Sequence, residues 1–105
     1  MFLGGQMIKF TVLYGHPTDA TAFESYYPTH LSIAQKMQGV TRMELTRFST
    51  GPDGSPPAYY RMAELYFPSS EAMMATLATP PAQAAVQDLS KFATGGVTML
   101  VGTVT

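Results

Sequence analysis

The stretch AYYRMAELYF, residues 58–67, decides the fold. Read as extended chain, it puts Ala63, Leu65 and Phe67 on one side and Tyr60, Met62, Glu64 and Tyr66 on the other. The first side suits the underside of a helix layer. The second carries two tyrosines and a methionine, too much apolar surface to leave in water. Residues 7–14, MIKFTVLY, repeat the pattern, with Ile8, Phe10, Val12 and Tyr14 on one face and Lys9, Thr11 and Leu13 on the other.

The rest of the chain falls into place around these two strands. After residue 14, His16 and Pro17 interrupt the strand, and Thr18 or Asp19 stands ready to cap the Ala/Phe/Glu/Tyr-rich helix that follows. Pro28 is expected to break or kink that helix, which resumes from about residue 29 to 37 until Gly39 supplies a left-handed C-cap. Residues 40–48 alternate again as a strand, and STGPDGSPP, residues 49–57, is a flexible hairpin loop and not a domain boundary. Beyond residue 67, Ser69 caps a short helix with Glu71 at its positive end. Thr79 and Pro80 restart a helix to about residue 91, and GGVTMLVGTV, residues 95–104, forms the last strand. The order βαββαβ is the ferredoxin-like α+β arrangement, an antiparallel sheet with helices on one face. Two copies packed sheet to sheet would bury the second face, giving a homodimer in the form of a dimeric α/β barrel.

With 105 residues there is room for one domain, read as residues 7–105, preceded by an N-terminal extension, Met1–Gln6, expected to carry no function. Hydrophobic residues make up 46 % and charged residues 12 %, a surface poor in charge that also favours a shared core. Six basic and seven acidic residues are scattered, so no cluster can neutralise a run of phosphates and nucleic-acid binding is not expected. The absence of cysteine removes disulfides, thiolate metal sites and a cysteine nucleophile together. No stretch approaches a membrane span or a signal peptide, and a soluble cytoplasmic protein is expected.

Two histidines are the natural starting point for acid–base chemistry near neutral pH. His16 reads as a turn residue. His30 follows Pro28 closely, and reads either as a proton shuttle facing the open sheet face or as a side chain that holds a strained helix junction. Glu64, flanked by Met62 and Tyr66, is either a catalytic acid or the partner of Lys9 across the sheet. Lys9, Thr11, Leu13, Tyr60, Met62 and Tyr66 would line the pocket. No HxH, HxxxH or HExxH spacing supports a metal, no GxGxxG or Walker pattern supports a nucleotide, and no GxSxG elbow is present, so no cofactor is expected.

The strand MIKFTVLY, then Phe23, Tyr26-Tyr27 and Thr29-His30-Leu31, the strand YYRMAELYF, and above all KFATGGVTMLVG at residues 91–102 together resemble the EthD family. The resemblance spans nearly the whole chain after Gln6. YYPTH is one residue shorter than the corresponding stretch of that family, and Ser32 stands where proline is common, which implies a rearranged backbone near His30. The resemblance implies a ferredoxin-like protein associated with ether, aromatic or polyketide metabolism. If the chain is an enzyme, it would be a cofactor-independent oxidoreductase, isomerase or lyase acting on an apolar small molecule, with His30 and Glu64 catalytic. The alternative is a binding or delivery module accessory to an oxygenase system.

Overall fold

A computed structural model of the chain describes residues 6–105, so the expectation for the N-terminal extension lies, apart from Gln6, outside the described residues. Four strands, β1 (Ile8–Tyr14), β2 (Arg42–Arg47), β3 (Arg61–Phe67) and β4 (Val97–Thr103), form one antiparallel sheet in the order β2-β3-β1-β4. Helices α1 (Ala20–Ala34), α2 (Ser70–Leu77) and α3 (Pro80–Asp88), the last extended by a 3-10 turn at Leu89–Lys91, complete the ferredoxin-like fold expected from the sequence. Among the described residues no helix is long and apolar enough to cross a membrane.

The caps follow side-chain chemistry. Asp19 Oδ1 accepts from the Ala22 amide at 3.1 Å and Ser69 Oγ from the Ala72 amide at 3.0 Å, each satisfying a donor that the first helical turn leaves free. Thr79 occupies the cap position of α3, but its hydroxyl donates instead to the Thr76 carbonyl at 2.6 Å. Pro80 opens α3, where its missing amide costs nothing.

Pro28 corrects the sequence reading. Helix α1 runs through it without interruption. The ring is on the exposed side, while Phe23, Tyr27, His30 and Ala34 are buried in one stripe at helical spacing. Burying Phe23 and Tyr27, at about 1.5–3 kcal/mol each, offsets the roughly 3 kcal/mol penalty of an interior proline. The helix also stops at Ala34, short of residue 37. Gly39 does adopt a left-handed conformation, with φ +92°, but in the connection beyond the helix.

Tyr14, Phe23, Tyr27, Tyr60 and Phe92 pack mostly edge to face at centroid distances of 5.0–5.9 Å, making the centre of the core at one end of β1. One row further along the sheet, at Val12 and Ala63, the side chains between the layers become smaller, before Phe10, Leu65 and Phe67 fill the far end again. That change in size positions the site.

Candidate functional site

A cavity of about 60 Å³ lies between the helices and the sheet. Its floor is one row of side chains across all four strands: Leu45, Ala63, Val12 and Met99, in cross-strand register. Ala63 sits in the middle of that row among longer neighbours, and Ala34, Ala82 and Ala85 face it from α1 and α3. Four methyl side chains where a packed core would hold branched ones leave the space unfilled. Met37, Met43 and Met99 line it with adaptable thioethers. Leu45, Val86 and Met99, also on the lining, are 41 %, 50 % and 40 % exposed, so the apolar wall continues to the surface.

His30 lines this cavity from α1 and is 5 % exposed. Its Nδ1 lies 2.9 Å from Oδ2 of Asp88, at the end of α3, and the Tyr26 hydroxyl donates to Oδ1 of the same carboxylate at 2.7 Å. The Lys91 ammonium stands 3.7 Å from Oδ1. Burial pushes the Asp88 carboxyl up, but the hydrogen bonds from Tyr26 and His30 and the charges of His30 and Lys91 outweigh it, and the group is held below the usual carboxylate range. An ionised carboxylate can only accept, so Nδ1 carries a hydrogen towards Asp88, and whenever the ring is neutral the free lone pair is on Nε2. The imidazole is further held by Phe92, 4.7 Å away, and by Tyr27, stacked at 6.2 Å.

The expected partners of His30 are elsewhere. Glu64 belongs to the opposite face of the sheet, since it alternates along β3 with Ala63 and Leu65, which line the cavity. On that open face three rows run from β1 to β2: Lys9, Tyr66 and Arg42; Thr11, Glu64 and Glu44; Leu13, Met62 and Thr46. Lys9 Nζ meets Glu64 Oε2 at 2.7 Å, and the hydrogen bond with this carboxylate raises the ammonium pKa. The Tyr66 hydroxyl donates to Glu44 Oε1 at 2.9 Å, with the Arg42 guanidinium 4.3 Å above the Tyr66 ring. The structure thus brings five of the expected pocket residues together with Glu64, on the side away from His30.

Tyr60 is not among them. Strand β3 begins at Arg61, so the alternation does not reach back to Tyr60; its ring packs on Phe23 and its hydroxyl donates to Glu24 Oε2 at 2.7 Å. His16 is a turn residue, with Nε2 2.8 Å from the Pro57 carbonyl.

Sequence reasoning missed Asp88 and Tyr27. The signal for Asp88 was present: it continues the Ala82–Ala85 stripe of α3, and an acid on an apolar stripe needs a partner when buried. Nothing in the sequence distinguished Tyr27 from a packing tyrosine.

Comparison with known proteins follows the same lines. The family described as EthD domain matches residues 15–96. An uncharacterized 11.0 kDa protein in the thcB-thcC intergenic region of Rhodococcus erythropolis is 38 % identical over 95 residues, 90 % of this chain and 91 % of that one. The crystal structure of an ethyl tert-butyl ether d (EthD) family protein from Bacillus halodurans superposes with a TM-score of 0.86 at 31 % identity, over 94 % of this chain and 99 % of that one. SnoaB, a cofactor-independent oxygenase from Streptomyces nogalater, shares the fold with a TM-score of 0.63 at 18 % identity, covering 96 % of this chain and 93 % of the other.

Proposed function

The chain belongs to the EthD family, and on that premise we propose that it binds a small apolar molecule between helices and sheet and takes a proton from it with His30. The observation that carries this reading is the His30–Asp88 pair on the wall of an otherwise apolar cavity. Asp88 fixes the tautomer and stabilises the imidazolium formed when Nε2 accepts a proton, the division of labour of a histidine and its orienting acid. The ether, aromatic and polyketide-like compounds associated with such proteins are apolar enough for these walls, and SnoaB supplies a precedent on this fold for chemistry without a cofactor. Lys9, Thr11, Leu13, Met62, Glu64 and Tyr66 have another part in this reading. The polar groups of Lys9, Glu64 and Tyr66 already have protein partners, which suits a sheet-to-sheet contact between two copies better than a ligand site.

A second reading has its own support. Asp88 joins α1 to α3 through both His30 and Tyr26, a pin that a non-catalytic delivery module feeding an oxygenase would need just as much.

Protein labelled at its methionine methyls with carbon-13 tests the cavity directly. Titration with methylenecyclopentane should shift the signals of Met37, Met43 and Met99 and leave Met74, 63 % exposed on α2, unmoved. Ala63→Leu should fill the space and abolish the shifts. If the three lining methionines do not respond, the binding site is elsewhere. With binding established, His30→Gln separates the two readings: unchanged proton transfer with a lowered melting temperature leaves only the pin.

A further inference from the structure

Tyr27 occupies the same wall as His30, one helical turn earlier, and is 4 % exposed. Its hydroxyl is a buried side-chain polar atom without a hydrogen-bond partner among the described residues. Such a group is uncommon because its desolvation is not repaid within the protein. The Tyr14 hydroxyl is near enough to influence its titration but not in bonding geometry. Burial raises the Tyr27 pKa, with the Arg61 guanidinium, 4.7 Å from the ring, opposing it, so the phenol stays protonated and has a hydrogen to give.

We infer that the ligand is a small carbonyl compound whose oxygen accepts a hydrogen bond from Tyr27 while His30 removes a hydrogen from the adjacent carbon. The inference rests on the proposed role of the cavity and specifies the chemistry it receives. An ether or a hydrocarbon would not develop charge where Tyr27 can answer it; a ketone does. His30 Nε2 takes the α-hydrogen as a proton, the electrons of the broken C–H bond form the carbon–carbon double bond, and the carbonyl π pair moves onto oxygen, where the Tyr27 O–H meets it. Return of the proton regenerates the ketone. No oxidant or metal enters the balance. Among apolar walls, one donor aimed at the growing enolate charge favours the transition state over the ground state.

The experiment compares cyclopentanone with methylenecyclopentane, which replaces the carbonyl oxygen by a CH2 group of similar size. Binding is read from the methyl signals of Met37, Met43 and Met99, and chemistry from exchange of the α-hydrogens of cyclopentanone for deuterium in D2O. Tyr27→Phe should weaken cyclopentanone binding about tenfold, the size of one hydrogen bond, and leave the hydrocarbon unaffected. It should slow exchange about 10²-fold, as should His30→Gln. Removing an unpartnered hydroxyl should leave the melting temperature of Tyr27→Phe unchanged or higher, so a folding defect will not obscure the result. Equal effects of Tyr27→Phe on the two ligands, or wild-type exchange no faster than in buffer, would overturn the inference while the cavity stands. Failure of both ligands to shift the methionines would remove the cavity reading and this inference with it.

Discussion

Glu24 gathers more partners than any other side chain on the flank of α1. The Arg61 guanidinium holds it at 2.6 and 2.9 Å, the Tyr60 hydroxyl donates at 2.7 Å, and Arg47 stands 3.9 Å away. The Arg61 hydrogen bonds lower its pKa from 4.5 to about 2 against a smaller opposing effect of burial, with Tyr60 and Arg47 assisting. A depressed carboxyl pKa favours the folded state above the unfolded value, and that contribution is lost as pH falls. Unfolding free energy should therefore decline between pH 4.5 and about pH 2, by about 1–2 kcal/mol once the full shift is reduced for solvent around a carboxyl that is 29 % exposed. Urea titrations across this range should show the decline in wild type and a flatter profile in Glu24→Gln. Identical slopes would mean that the Arg61 pair adds nothing net. The cluster also explains why Tyr60 left the face assigned to it: a phenol drawn to Glu24 and a ring drawn to Phe23 override an alternation that had no strand beneath it.

Among the elements, the segment joining the 3-10 turn to β4 was the most readable from sequence, and its geometry is specific. Gly96 has φ +85°, and its carbonyl accepts from the Gly15 amide at 2.9 Å. Gly95 and Gly15 are packed backbone to backbone: a Cβ on Gly95 would overlap the His16 carbonyl, and one on Gly15 would overlap the Gly95 carbonyl. The two changes should therefore differ in kind. Gly96→Ala meets open space and suffers only backbone strain, roughly 1–2 kcal/mol, whereas Gly95→Ala must push β4 away from the end of β1 and should cost more. Chemical denaturation ranks them, and a Gly95→Ala variant as stable as wild type would show that the close approach is dispensable. Strand alternation and the Asp19 and Ser69 caps were legible because they depend on neighbours in the chain. The run through Pro28 was not, since it is decided by what Phe23, Tyr27 and His30 find across the layer. The site divides in the same way. His30 could be nominated from its chemistry alone, but Asp88 lies 58 residues away and becomes its partner only when α3 is laid beside α1.

At the scale of the molecule, one helix layer on one sheet gives a slab 17 Å through, and among the described residues no element covers the second face of the sheet. That face is half charged and half apolar: Lys9, Arg42, Glu44 and Glu64 towards one end, Leu13 and Met62 towards the other, with Leu100 at 51 % exposure on the flanking strand β4. The edge strand itself leaves Val97, Met99, Leu100 and Val101 exposed, an arrangement that invites pairing in solution. A twofold axis through the face can bring the apolar half of one copy onto that of the other and set acids against bases, so one surface serves both partners. We expect a homodimer, two chains of 11.4 kDa, by light scattering at micromolar concentration. Leu100→Asp places a charge at the contact but costs the single chain little, because the residue is half exposed there. It should yield a monomer with an unaltered far-ultraviolet spectrum, and its melting temperature should no longer rise with protein concentration. The cavity opens on the helix side of the sheet, away from this contact, so the monomeric variant should still bind methylenecyclopentane. A wild-type protein that is monomeric throughout would show that the open face is kept soluble by its own Lys9–Glu64 and Tyr66–Glu44 pairs, and the barrel would have to be given up.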